Sequence, residues 1–351
     1  MSQRILALCL AFAALPLAAV WLVGAARRPG PRGALAELAL GLGAAGLALA
    51  ALLLVLEVGF ARFAVQSDGL GHTLAARAWF ARHWGPANRY GFRDAEPAAT
   101  GRRLFVVGDS FVAGHGVARR ADRFSDRLAS HLAPGWSVLS FARNGWDTGQ
   151  ALAALHAFPI APDALLWSYY VNDVAGAAAR HGRSLDATPP APPAALRAVV
   201  ERSHLANFAY WRAWRLANGA LAEARWRQQR DSYTDPAVWS DHRRELEAVV
   251  TFARERALPL LVVVFPHLND AAGSRHATRR VAGTFRAAGV RVLDLTDHVA
   301  AAPPERFTVN AVDAHPNERL HGEVAERLLP LLAAEGLLAP AVAAAPPTDA
   351  P

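Results

Sequence analysis

A chain of 351 residues that is 53% hydrophobic and 19% charged is too apolar to be disordered, and it has room for one large domain plus a membrane segment, or for two small domains. The net charge of +7 raises a nucleic-acid partner, yet every fixed positive side chain is an arginine, and Arg243, Arg244, Arg254 and Arg256 stand beside Glu245, Glu247 and Glu255. That interleaving reads as a solvated, salt-bridged face and not as a basic stripe, so no nucleic acid is expected.

The chain opens on an uncharged apolar run, Ile5 to Gly24, long enough to cross a hydrocarbon core of about 30 Å. The lone cysteine, Cys9, lies inside it; one thiol excludes an internal disulfide and reads here as a membrane-buried small hydrophobe. Arg27-Arg28-Pro29-Gly30-Pro31-Arg32 breaks the run, and a second extends from Leu38 to Leu56 between Glu37 and Glu57. Residues 1–60 are therefore expected to form an anchor of two transmembrane helices, about 5–24 and 36–58. The first run, with Arg4 before it, has the outline of a signal peptide, but no small-x-small cleavage site is followed by a polar start, and the second run would anchor the chain in either case. Arg27, Arg28 and Arg32 favour a cytoplasmic hairpin loop; Arg4, the terminal amine, Arg62 and Arg77 favour the reverse, so charge leaves orientation open.

Residues 61–100 read as a connector whose Trp79, Phe80, Trp84 and Tyr90 sit at the membrane interface or, as is commoner, pack on the domain. From Arg103 the period alternates. Leu104–Val107 is a short apolar run closed by Gly108, as for a buried parallel strand, and Asp122–Leu132 is helical. Ser137–Phe141 is a strand, Thr148–Phe158 a helix and Ala164–Tyr170 a third strand. After a long insertion, Leu246, Val249, Val250 and Ala253 mark a helix face, Pro259 precedes the strand Leu260–Phe265, and Val290–Leu295 is the fifth strand. The last helix carries Leu320, Val324, Leu328 and Leu331 on one stripe. Such alternation predicts crossover units around a parallel sheet in three α/β/α layers over residues 101–335.

Open parallel sheets bind ligands beyond the carboxyl ends of their strands, which directs attention to the residues just after each strand. These are Gly108-Asp109-Ser110-Phe111, then Arg143-Asn144-Gly145, then Val171-Asn172-Asp173, and Asp313-Ala314-His315 before the last helix. Ester cleavage needs a nucleophilic oxygen, a base, a group orienting that base and donors for an oxyanion. Ser110 supplies the oxygen and its own N–H, Gly145 an unobstructed N–H, Asn172 an amide, His315 the base, and Asp313 the nearest carboxylate. Singly these signals are weak: a serine after a strand is usually a helix cap, and Asn-Asp is usually a turn. Their order at successive strand ends is the stronger signal. Asp109 and Asp173 flank the site and read as turn caps that bond loop amides.

The chain resembles the SGNH/GDSL hydrolase family. Ser110 in Gly-Asp-Ser-Phe, Gly145 in Asn-Gly-Trp-Asp-Thr, Asn172 in Val-Asn-Asp and His315 in Asp-Ala-His-Pro-Asn match that family's four blocks in chain order, over roughly Asn88 to Leu332. Tyr90-Gly91-Phe92-Arg93-Asp94 resembles the pre-domain segment of membrane-anchored members, and Leu56-Glu57-Val58-Gly59-Phe60 the end of their anchor. The resemblance implies a flavodoxin-like three-layer fold, the SGNH hydrolase fold, and by analogy a catalytic domain outside the cytoplasmic membrane. Two blocks depart from the family. Tyr170-Val171 stands where Gly-x is common before Asn-Asp, and one residue instead of two separates Asp313 from His315. His321, inside the last helix, is expected to be structural.

The insertion 175–240 holds Pro189-Pro190-Ala191-Pro192-Pro193, then Tyr210, Trp211, Trp214 and Trp226 among Arg197, Arg202, Arg212, Arg215, Arg225 and Arg227. A lid, an acyl pocket, an amphipathic helix on anionic lipid and an ordinary helical pair all fit it. The Ala- and Pro-rich tail 336–351 reads as disordered. The functional expectation is a membrane-tethered serine ester hydrolase of the SGNH/GDSL type, acting on an ester or acylated-glycan substrate. One alternative is an O-acyl transferase or deacetylase working on an envelope polysaccharide; another is a non-catalytic glycan-binding or assembly protein. No cofactor, metal or nucleotide is expected, since neither metal-ligand spacing nor a Walker lysine is present. The sequence leaves the acyl length and the oligomeric state open.

Overall fold

The structure, a computed structural model, describes residues 32–183 and 189–338. The expected first transmembrane helix with Cys9, the arginines of the hairpin loop before Arg32, and all but the first three residues of the expected tail lie outside the described residues. The chain divides into two compact units, one formed by the residues up to Val65 with Ala191–Arg212, the other by Gln66–Pro190 with Ala213 onward.

In the first unit, α1 (Arg32–Phe63) contains the second apolar run. Within it, Glu37–Phe63 is long and apolar enough to cross a membrane. Leu38, Leu42, Leu49 and Val55 are all exposed along it. Helix α7 (Ala194–Val200) and the start of α8 (His204–Ala217) complete this unit.

The second unit is built on five strands: β1 (Arg102–Gly108), β2 (Trp136–Ala142), β3 (Ala164–Tyr170), β4 (Leu260–Phe265) and β5 (Arg291–Asp294). All pair in parallel, in the order β2-β1-β3-β4-β5. Alternation along β1 sends Phe105 and Val107 to one face and Leu104 and Val106 to the other, and each pair joins a separate apolar core. One core is completed by α5 (Thr148–Ala157), α10 (Pro236–Glu255) and α11 (Arg275–Ala287); the other by α3 (Ser110–Ala113), α4 (Phe124–Ala129) and α13 (Glu318–Ala334). These are the three layers that the sequence predicts. The strand order reverses between β1 and β3, so the crevice of such a sheet opens beside the end of β1. Ser110 is two residues past that end.

Local capping fixes the helices around this point. Asp147 and Gln150 form a reciprocal capping box at the start of α5, and Asn317, two residues after His315, caps α13. The remaining elements are α2 (Leu74–His83), α6 (Ala175–Arg180), α9 (Gly219–Ser232), α12 (Thr296–Ala300) and an antiparallel ribbon, β6 (Thr308–Asn310) with β7 (Asp313–Pro316).

One sequence expectation is corrected, and two regions take a definite form. The helix expected over 122–132 is a 3-10 turn, Arg120–Asp122, followed by α4, because Arg123 is extended (φ −69°, ψ 148°). Its guanidinium turns inward to the Arg93 carbonyl (2.7 Å) and Asp126 (2.6 Å). The connector is not featureless: Asp68 accepts the N–H groups of Leu70, Gly71 and Thr73, and Thr73 caps α2. Its aromatics pack, with Trp79 buried and Phe80 4.9 Å from the His115 ring. Among its described residues the insertion holds helices α6 to α9 and the start of α10. Trp226 packs in the second unit, stacking on His267 at 4.3 Å and donating to Asp270 at 2.7 Å.

Candidate active site

Ser110 opens α3, so its own N–H has no intrahelical acceptor. The turn before it needs glycine: a Cβ on Gly108 would meet Val112 Cγ2 at 2.7 Å and the Ser168 carbonyl at 3.1 Å, which lets β1 and β3 lie close. Asp109 caps α3 through Phe111 N–H (2.9 Å), and its other oxygen lies 3.3 Å from Ser110 Oγ.

The shorter contact of that hydroxyl is with His315, whose Nε2 lies 3.0 Å from Ser110 Oγ. The opposite ring nitrogen, Nδ1, is 2.5 Å from Asp313 Oδ1. A carboxylate accepts only, so Nδ1 carries the proton and Nε2 turns a lone pair to the serine. The one-residue spacing of Asp313 and His315 now has a physical basis. Both lie on β7, where residues two apart share a face. Asp313 Oδ1 also takes the His315 backbone N–H at 3.1 Å, closing the arrangement. Burial alone would raise the Asp313 carboxyl, but the His315 bond and the neighbouring imidazoles hold it well below the usual carboxylate range.

The loops after β2 and β3 flank Ser110, because those strands are the two neighbours of β1. Gly145, after β2, has φ +81° with open space where a Cβ would stand, a backbone state that side chains resist. Asn172, after β3, has a buried Oδ1 with no hydrogen-bond partner among the described residues. Tyr233 O–H donates to the Val171 carbonyl just before it (2.8 Å) and pairs with Tyr169, which bonds His242 Nε2 at 2.8 Å. This buried chain ties the Asn172 loop to α10. Tyr170, the bulky residue in place of the family's usual glycine, stacks on Phe111 at 4.1 Å.

Asp173 Oδ2 accepts the Thr148 hydroxyl at 2.9 Å. Burial, and then the charge of Asp109, push its carboxyl well up. His321 sits in α13, fully buried, and accepts Phe124 N–H at 3.1 Å, as a structural residue would.

Two residues take roles that the sequence does not assign. His115, buried two residues past α3, stacks on the His315 ring at 4.0 Å. Asn144 donates to its Nδ1 (3.1 Å), which leaves the proton on Nε2, 3.7 Å from Asp313 Oδ2. Asp313 thus faces two imidazoles. Burial, and then the charge of His315, lower the His115 pKa to about 3, so this ring is neutral. His115, Asp313 and His315 bring ligand-type atoms within 4.8 Å of one another, a cluster their sequence separation hides; both His315 nitrogens are already engaged, so a cation would have to displace one of those bonds. The other is Arg93, which donates to the carbonyls of Ala113, Gly114, Val117 and Ala118 in the loop after the serine and to those of His83 and Trp84. A hollow of 330 Å³ lined by Phe80, Trp84, Arg93, Arg143 and Asn144 opens beside this loop.

The second unit is thus a parallel α/β domain with a Ser-His-Asp hydrogen-bond chain at the carboxyl rim of its sheet. The four blocks of the SGNH/GDSL resemblance all lie at that rim. Comparison with known sequences adds nothing: no protein-family model and no curated protein matches. Among solved structures, the chain is similar to the extracellular lipase from Streptomyces rimosus, at 14% identity and TM-score 0.44 over 66% of this chain and 99% of the lipase. It is similar also to the lipase/acylhydrolase from Enterococcus faecalis (13%, TM-score 0.40, 67% and 96%) and to the acetyl xylan esterase AlAXEase (10%, TM-score 0.41, 66% and 99%).

Proposed function

We propose that the chain is a membrane-tethered serine ester hydrolase that works through an acyl-enzyme. The observation that carries this reading is the chain of two hydrogen bonds, Ser110 Oγ to His315 Nε2 at 3.0 Å and His315 Nδ1 to Asp313 at 2.5 Å. Ser110 Oγ attacks the ester carbonyl while its proton passes to His315 Nε2. The imidazolium is stabilised by Asp313, which is already ionised and buried. Negative charge on the carbonyl oxygen is received by the N–H groups of Ser110 and Gly145 and by the Asn172 amide; one such donor contributes about 3–4 kcal/mol. Collapse expels the alkoxide, which takes the proton from His315. Water then enters by the same route in reverse and frees the acid and the serine.

Asp109 and Asp173 act as supports, the first holding the serine turn and the second the start of α5. The domain assignment is an anchor over residues 1–60, a connector to residue 100, a catalytic domain to residue 335 with the insertion 175–240, and a tail. The apolar, exposed surface of Glu37–Phe63 supports the anchor, and placement of the catalytic domain outside the cytoplasmic membrane follows the family analogy. The test is turnover of short-chain p-nitrophenyl esters by the full chain in detergent. Ser110→Ala should lower kcat by about 10³-fold or more. An undiminished rate would exclude this serine.

A further inference from the structure

The uncharged stretch of α1, Leu38 to Leu56, spans about 28 Å at 1.5 Å per residue, which matches a hydrocarbon core of about 30 Å. Glu57 therefore falls at a membrane boundary, and it is not idle there. Its Oε2 accepts the Ser203 hydroxyl (2.7 Å) and Leu205 N–H (3.0 Å), and its Oε1 accepts His204 N–H (2.6 Å). These amides belong to the first turn of α8 and have no acceptor in their own helix. A carboxylate on α1 thus caps α8, and its charge suits that helix end. One turn further, Phe60 packs on Phe208 with centroids 4.7 Å apart. The cap and the ring pair fix α8 to the last two turns of α1.

The same unit leaves large apolar side chains partly open to the surroundings: Phe63 is 89% exposed, Val199 57%, Leu196 50% and Phe208 41%. Arg62, Arg197, Arg202 and Arg212 of the same unit are exposed as well, Arg62 and Arg197 next in sequence to Phe63 and Leu196, and within 191–212 the only acidic residue is Glu201. Exposed apolar groups beside arginines, held at the level of a membrane boundary, match the acyl and anionic headgroup layers.

We propose that α7 and the first half of α8 form an interfacial segment lying in the headgroup layer of the membrane that α1 crosses, with Leu196, Val199 and Phe208 in the acyl boundary and the arginines on anionic lipid. The proposal rests on reading α1 as a membrane span, and the test separates the two. Single cysteines at Leu49→Cys, Leu196→Cys and Val199→Cys, each in full-length chain carrying Cys9→Ser, are spin-labelled in nanodiscs of phosphatidylcholine and phosphatidylglycerol. Collision with oxygen and with a water-soluble nickel chelate then reports depth. Leu49 should read deep, and Leu196 and Val199 shallow, with oxygen contact exceeding nickel contact. Labels at 196 and 199 that meet nickel freely while Leu49 reads deep would overturn the interfacial segment and leave the anchor standing. Labels shielded from both reagents would mark a protein contact, which also overturns it. An aqueous Leu49 would remove the membrane reading and this inference together.

Discussion

Asp313→Asn keeps the shape of the site and removes one charge. In the native protein, Oδ1 receives both the His315 ring N–H at 2.5 Å and the His315 backbone N–H at 3.1 Å. If the asparagine amide turns its NH₂ group to the ring, Nδ1 must become an acceptor, and the imidazole proton moves to Nε2. That proton then points at Ser110 Oγ, and the serine loses its base. If the amide oxygen faces the ring, the tautomer survives, but the imidazolium loses a buried counter-charge; charge-assisted bonds contribute about 1.5–3 kcal/mol. In the serine-protease template the same change lowers kcat about 10⁴-fold. The expected loss is therefore about 10²–10⁴-fold in kcat, or roughly 3–5.5 kcal/mol at 1.36 kcal/mol per decade. KM should change little, because the group acts mainly in the transition state. Steady-state hydrolysis of p-nitrophenyl acetate by the wild type and the variant measures it. A kcat within tenfold of wild type would mean that another group, such as a backbone carbonyl, orients His315.

Two other perturbations address the histidines. His115→Phe keeps a ring against His315 and removes an N–H dipole 3.7 Å from Asp313 Oδ2, so kcat should fall several-fold while the melting temperature stays within a few degrees; equal rates would show that His115 only fills space. Burial lowers the pKa of His115 and of His321 to about 3 and that of His267 to about 4, against an ordinary value of 6.5. The unfolded chain therefore binds these protons first, so stability is complete above pH 6.5 and is lost as pH falls toward 4. His321→Leu should flatten urea-midpoint stability between pH 6.5 and 4 by about 1.4 kcal/mol per pH unit, and parallel curves for the two proteins would contradict this.

The sheet and the serine were legible because a buried parallel strand announces itself as an apolar run, and the crevice rule then names the next residues. Leu104–Val107 marks the strand, and Ser110 gains weight only from Gly145, Asn172 and His315 following at later strand ends. Asp313 was harder: its role depends on whether 313–316 is a strand or a turn, and only pairing with Thr308–Asn310 decides that. His115 left no trace, since its glycine neighbours carry no period and its partners, Asn144, Asp313 and His315, come from distant parts of the chain. The helix α2 and the carbonyls gathered by Arg93 were hidden for the same reason. Glu57 read as the flank of an apolar run; that it caps a helix far along the chain is a tertiary fact.

The central claim is that the Ser110 hydroxyl is made nucleophilic by its bond to His315. A fluorophosphonate probe reacts far faster with such a serine than with an ordinary hydroxyl, and peptide mass mapping of the labelled full chain locates the adduct. One adduct on the peptide carrying Ser110, absent in Ser110→Ala and formed at least about 10²-fold more slowly in His315→Ala, is the expected result. An esterase-active preparation labelled at another residue, or labelling equally fast without His315, would contradict it.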